Sequence, residues 1–326
     1  MRRRVLPLLA ATALVAGVAC TSASGSNGGV GIDTRFGASL ASSWHYVGAP
    51  QRVQVGILAV DQDGRRYVTG GSVDLAFSFR GADGASDPVP GPSATAEYVP
   101  VPGTEPAAGE PSITPGARGI YEAERVVFDE PGVWEVTVSA EIDGLAQQLR
   151  SSFAVAEDSA IPAPGDRALE TETLTVDSKG VPNSAIDSLA VDDGPIPDRE
   201  LHEWSIADAI EAGRPALVLF GTPAYCTSEF CGPEVQELQR LADEYPDRAV
   251  YIHVEIWKQY DPPQVQVINE GAAEWLLRRR PDGTPEMTEP WLYLIGADGR
   301  IVDRWGSMFD GDDVAAALQA LPPMAA

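Results

Sequence analysis

Residues 217–238 read LVLFGTPAYCTSEFCGPEVQEL, and the fold of the C-terminal part of the chain turns on this stretch. Residues 216–220 are an unbroken apolar run, the pattern of a strand buried on both faces. Pro233 suits the first turn of a helix, and from there to Tyr245 the residues Val235, Leu238, Leu241 and Tyr245 recur at helical spacing. Between strand and helix lie Cys226 and Cys231, separated by Thr227, Ser228, Glu229 and Phe230.

Outward from this centre the alternation of elements continues. Ser205 and Asp208 have the spacing of a capping box and open a short helix to Ala212, stopped by Gly213 and followed by Pro215. Residues 249–256 predict a further strand and 269–280 a helix. Residues 291–295 and 300–305 pair about Ala297-Asp298-Gly299, and 312–321 form the last helix. Over residues 199–325 the predicted order is αβαβαββα.

That order, with LVLFGTPAYCTSEFCGPEVQEL and TEPWLYLIGADGRIVDRWGS (288–307), resembles the thioredoxin fold. The resemblance implies that Cys226 is the nucleophilic cysteine, Cys231 the resolving one, Tyr225 the aromatic before them and Pro290 a cis-proline facing them. A thiolate at a helix N-terminus is stabilised by unpaired backbone N–H groups and the helix dipole, which is why such a cysteine is reactive. The chain departs from the family in spacing, with four residues between the cysteines where thioredoxins have two. On one continuous helix such positions stand about 140° apart around the axis and roughly 7.5 Å along it, beyond disulfide reach. Cys226 is therefore expected in the loop, with Cys231 near the helix start. A second register, Cys231-Gly232-Pro233-Glu234, mimics Cys-Gly-Pro-Cys with Glu234 in the last place.

The N-terminus sets the chemical context. Arg2, Arg3 and Arg4 precede an uncharged stretch from Val5 to Ala19, the pattern of an export signal. Gly17-Val18-Ala19-Cys20 and the Ser/Gly-rich residues after it resemble a bacterial lipoprotein signal, although Gly17 stands where Leu is usual. The resemblance implies a lipid on Cys20 and attachment to the extracytoplasmic face of the cell membrane; the alternative is secretion after cleavage near Ala19. Residues 1–19 are thus the signal peptide and 20–43 a flexible tether. Of three cysteines in the chain, Cys226 and Cys231 then remain as a pair in an oxidising compartment, where thiols tend to form disulfides.

Upstream the period changes to two. Val73, Leu75, Phe77 and Phe79 alternate along one strand, and Trp134, Val136, Val138 and Ala140 along another. Asp143-Gly144 then turns the chain into a strand lined by Leu145, Leu149, Phe153 and Val155. Residues 44–157 are predicted as an antiparallel β-sandwich, and DEPGVWEVTVSAEIDG (129–144) resembles the closing hairpin of bacterial immunoglobulin-like domains. Residues 82–118, dense in Pro, Gly and Ala, are expected as a long surface loop, and 158–198 as an interdomain linker. The fold class expected is therefore two-domain: an all-β immunoglobulin-like sandwich, then an α/β thioredoxin-like fold. A length of 326 residues agrees with about two domains.

The charge balance is 23 basic against 48 acidic residues, a net −25 that repels phosphate backbones and excludes nucleic acid as a partner. No phosphate-cradling glycine loop and no nucleophile–histidine pair is legible, and no cofactor is expected. A Cys-x-x-x-Cys element followed by Pro resembles the Sco family of copper-delivery proteins, which implies a distant histidine ligand. The spacing here is one longer, and His253 within VYIHVEI and His202 before a helix suit a core better than a metal, as Met287 and Met308 suit packing. Three readings stand: a thiol-disulfide oxidoreductase acting on extracytoplasmic protein thiols, a redox-silent binding or assembly module with a structural disulfide, and a copper carrier.

Overall fold

Period-two alternation carries most of residues 35–156 into strands of one sheet. The computed structural model describes residues 34–62, 64–105, 107–226, 230–279 and 284–324. The signal peptide, Cys20 and the first part of the tether lie outside the described residues, as do Thr227, Ser228 and Glu229. The strands are β1 Arg35–Leu40, β2 His45–Tyr46, β3 Gln51–Asp61, β4 Gly64–Tyr67, β5 Ser72–Phe79, β6 Val89–Pro100, β7 Gly119–Val126, β8 Gly132–Ile142 and β9 Leu145–Ala156. Their order is β1-β3-β7-β6-β5-β8-β9-β2, with β4 beside β3. β1 and β2, consecutive in the chain, stand at opposite ends of that order, so the sheet curls back on itself. Inside it Val55, Ile57, Leu75, Phe77, Phe128, Trp134, Val136 and Val138 are buried together, each such side chain contributing about 1.5–3 kcal/mol relative to exposure.

Two expectations change within this sheet. The expected tether ends earlier than residue 43: β1 pairs antiparallel with β3 from Arg35↔Val60 to Leu40↔Val55. Its alternation of Phe36, Ala38 and Leu40 packs against the core. Residues 82–118 are not one loop, because β6 lies within them and joins β5 to β7. Its glycine has a steric reason: a Cβ on Gly91 would lie 2.4 Å from the Trp134 ring, so only a bare backbone passes there.

Residues 158–198, expected as a linker, are folded onto the C-terminal part. Gly165 and Ala168 donate backbone hydrogen bonds to Ile301 and Gly299 at 2.8 and 2.9 Å. Ile161 and Ala168 join its core, and Thr171 accepts from the Trp275 indole at 3.1 Å. The buried Ile161, Ile186 and Ile196 are isolated among small and hydrogen-bonded polar side chains, which leaves no aliphatic period to read.

The C-terminal elements follow the predicted order with two short hairpins added: α1 Ile206–Glu211, β10 Ala216–Gly221, α2 Cys231–Glu244, β11 Val250–Glu255, β12 Trp257–Asp261, β13 Val265–Ile268, α3 Glu270–Leu276, β14 Arg278–Arg279, β15 Pro285–Glu286, β16 Trp291–Ile295, β17 Ile301–Gly306 and α4 Gly311–Ala320. The capping box of Ser205 and Asp208 is formed. A four-stranded sheet runs β11-β10-β16-β17, with β10 parallel to β11 and antiparallel to β16. Val218 and Phe220 face Ile206 of α1 and Trp275 of α3, while Leu217 and Leu219 face Leu238 of α2 and Leu318 of α4. Helices on both faces explain the unbroken apolar run of β10.

The two sheets meet within one unit, Thr34–Ala326. Arg52 of β3 donates to both carboxylate oxygens of Asp303 at 3.0 and 3.1 Å and to Asp313 at 2.7 Å. Ser43 and the Trp44 indole both reach the Thr288 hydroxyl, at 3.1 and 2.7 Å. No described helix is long and apolar enough to cross a membrane.

Candidate functional site

The end of β10, the start of α2 and the turn before β16 converge on the cysteine pair. Cys226 and Cys231 are disulfide-bonded with Cα atoms 6.0 Å apart. Cys231 is the first residue of α2 and is fully buried; Cys226, in the preceding loop, is partly exposed. The Cys231 N–H donates to Cys226 Sγ at 3.3 Å. The more accessible sulfur therefore sits where an unsatisfied N–H of the first helical turn points. Of the two registers, the geometry agrees with Cys226 in the loop. Glu234, the alternative fourth position, is buried one turn further on, and burial raises its carboxyl well above the ordinary range.

Pro290 follows a cis peptide bond from Glu289. It flanks Gly221 together with Cys231: a Cβ on that glycine would lie 3.6 Å from Cys231 Cβ and 3.8 Å from Pro290 Cβ. Tyr225 stacks on Tyr260 at 4.6 Å, and Tyr260 leans on Trp257 at 4.9 Å. Of the residues expected at the site, Cys226, Cys231 and Pro290 gather at the end of β10, and Tyr225 lines the adjoining cleft against Tyr260.

Three contributors were not legible in the sequence. The first is Glu289, whose carboxylate lies within 4.8 Å of both sulfurs. Its Oε2 is buried without a hydrogen-bond partner. Burial, with repulsion from Glu255, pushes it up to about 7. Glu255 itself, at the end of β11, accepts from the backbone N–H groups of Ser188 and Trp257 and is also raised to about 7 by burial. The residue before the proline of TEPWLYLI was the one signal available for Glu289.

The second contributor is the β-sheet module. Phe230, immediately before Cys231, is buried with Val99, Val101, Ile120 and Met308, so the N-terminal part packs on the residue beside the buried cysteine. Residues of the same part, Leu40 to Ser43, form one wall of a cleft of about 790 Å³ whose other walls include Tyr225, Trp257, Met287 and Glu289. This cleft opens beside the disulfide, and the Trp257 indole N–H within it is buried without a partner.

The third is a buried polar cluster beneath the site. The two histidines read as core residues are both buried, and they meet each other with ring centroids 5.1 Å apart and Asp187 between them. Neither faces the sulfurs: His253 donates from Nε2 to the Gly221 carbonyl at 3.2 Å, and His202 Nε2 lies 3.3 Å from Asp187. Asp187 is held below the usual carboxylate range against the cost of its burial by His202, His253 and the Leu189 N–H, while burial lowers His253 to about 4. The Nδ1 atoms of both histidines are buried without a partner.

No protein-family model and no curated protein matches the chain. Among solved structures, the chain is similar to one of Xanthomonas campestris bacterioferritin comigratory protein, described for its alkyl peroxide reduction activity. Identity is 20%, coverage is 33% of this chain and 78% of that one, and the TM-score is 0.23. At that score the likeness bears on neither the chemistry nor the partners of this chain.

Proposed function

We propose that the chain is an envelope-anchored thiol-disulfide oxidoreductase, built from an immunoglobulin-like sandwich and a thioredoxin-like module and tethered through lipid on Cys20. The observation that carries the reading is the arrangement at α2. A partly exposed sulfur accepts an N–H at the helix start, its partner is buried behind it, and Pro290 and Glu289 close the opposite side beside an apolar cleft.

In the oxidising direction, a substrate thiolate attacks Cys226 Sγ and the Cys226–Cys231 bond breaks. The electron pair leaves on Cys231, which takes a proton. A second substrate thiolate then attacks the substrate sulfur of the mixed disulfide, releasing the Cys226 thiolate. The substrate leaves as a disulfide and the protein is left with two thiols. The reverse sequence reduces a substrate disulfide with Cys226 attacking and Cys231 resolving. Glu289, close to both sulfurs and poised to carry a proton near neutrality, is suited to supply that proton and to take it back. Substrates of this reading are extracytoplasmic proteins whose cysteine-bearing segment lies along the Pro290 backbone.

A redox-silent staple is the second reading, favoured by the burial of Phe230, next to Cys231, among Val99, Val101, Ile120 and Met308. One pair of measurements separates them. The oxidoreductase is expected to show a Cys226/Cys231 potential well above about −300 mV, and Cys231→Ser is expected to trap mixed disulfides. A lower potential with no trapped partner leaves the staple.

A further inference from the structure

We propose that Asp187, His202 and His253 form a binding site for a divalent transition-metal ion, with zinc(II) the cation that suits their chemistry. The site stands apart from the disulfide and does not depend on its redox role.

The three residues come from separate places: Asp187 follows the 3₁₀ turn Asn183–Ala185, His202 ends the 3₁₀ turn Arg199–His202, and His253 lies in the middle of β11. Each is at most 1% exposed, and one donor atom from each lies within 4.8 Å of the other two. Asp187 Oδ2 is 3.3 Å from His202 Nε2 and 3.8 Å from His253 Nδ1. Ligand atoms on a tetrahedral zinc with bonds of about 2.0–2.1 Å stand roughly 3.3 Å from one another. Two imidazoles and one carboxylate are an ordinary donor set for this ion.

The tautomer of His253 decides the matter. Its Nε2 meets the Gly221 carbonyl, which only accepts, so Nε2 carries the proton. In the neutral ring Nδ1 is then a bare lone pair, and it points at a carboxylate oxygen too far away for a hydrogen bond. Two acceptors face each other among buried side chains, an arrangement that a cation held between them relieves. The remaining contacts orient ligands in the manner of an outer shell. His253 donates its other N–H to a carbonyl, and Asp187 Oδ1 accepts the Leu189 N–H at 2.8 Å. The ion would fasten the segment around Ser188, whose hydroxyl accepts the Ala224 N–H at 3.1 Å, just before the cysteine loop.

The test uses the oxidised full chain, in which the cysteine sulfurs are tied up and cannot ligate. The protein is stripped with a chelator in denaturant, refolded with one equivalent of zinc(II) or cobalt(II), and dialysed. One zinc per chain by mass spectrometry is expected, together with a cobalt(II) spectrum of tetrahedral nitrogen and oxygen ligation without a thiolate charge-transfer band. His253→Gln is expected to weaken zinc binding on the order of 100-fold or more, while Cys226→Ser/Cys231→Ser keeps the ion. Wild-type protein that refolds without retaining zinc overturns the proposal. So does equal retention by His253→Gln, or loss of the ion in the double serine variant. Should His253→Gln fail to fold, the wild-type stoichiometry and the cobalt spectrum decide alone.

Discussion

Phe230, the residue before Cys231, is buried in one cluster with Ile120 of β7, so the residue beside the buried sulfur is anchored by the other sheet of the molecule. Truncation removes the ring from this cluster and leaves a cavity in its place. Phe230→Ala is expected to cost about 3–5 kcal/mol in denaturant unfolding and to speed reduction of the disulfide by a small thiol. A loss under 1 kcal/mol with unchanged reduction kinetics would show that the disulfide is protected without this anchor.

Glu289 gives a pH signature. Protonated below about 7, it is an acid for the leaving sulfur only on the acid side of that value. The rate of disulfide reduction, divided by the concentration of attacking thiolate, should therefore fall as pH rises through about 7. In Glu289→Gln the same plot should be flat and lower. An unchanged inflection in the variant assigns it elsewhere, with Glu255 the next group to replace.

Stability should depend on pH through Glu122, which lies 3.6 Å from Arg52 Nε at the junction of the two sheets. Burial outweighs the Gln54 hydrogen bond and Arg52, and raises it from 4.5 to about 7. A raised acid favours the folded state while protonated, so its contribution is complete below pH 4.5 and is lost as pH climbs to about 7. That window corresponds to on the order of 3 kcal/mol. His45, lowered from 6.5 to about 4 by burial and Arg304, acts oppositely: its contribution is present above 6.5 and lost as pH falls toward 4. Glu122→Gln should flatten the alkaline loss in a pH series of urea midpoints and leave the acid limb in place. A variant that loses the acid limb instead contradicts this assignment.

Arg52 holds three carboxylates, on β7, β17 and α4. Removing it takes a cationic donor from acids that keep the Gln54 amide, the Arg304 N–H and the Trp305 indole, which costs about 1.5–3 kcal/mol. Arg52→Ala is expected to turn one calorimetric transition into two as the sheets uncouple. A single transition in the variant would show that the apolar contacts around Phe230 suffice.

Legibility followed the period of the side chains. β5, β8 and β9 were readable because Phe77, Val136 and Phe153 alternate, and β10 because both its faces are covered. β6 was hidden by Pro90, Gly91 and Pro92, of which Gly91 answers to the Trp134 ring across the sheet, a constraint with no local trace. The cysteine positions and Pro290 were legible through the resemblance of two short stretches. Glu289, and the meeting of Asp187 with His202 and His253, depend on chain crossings that no spacing encodes, and residues 158–198 bury scattered Ile and Ala beside Thr, Ser and Asp, with no period to read.

The Thr288 hydroxyl takes hydrogen bonds from Ser43 and Trp44 next to Glu289 and Pro290. The sulfur pocket is accordingly a seam and not the property of either half. A fragment cut at residue 199 would carry both cysteines into solution with one wall missing, and its chemistry would describe a different molecule.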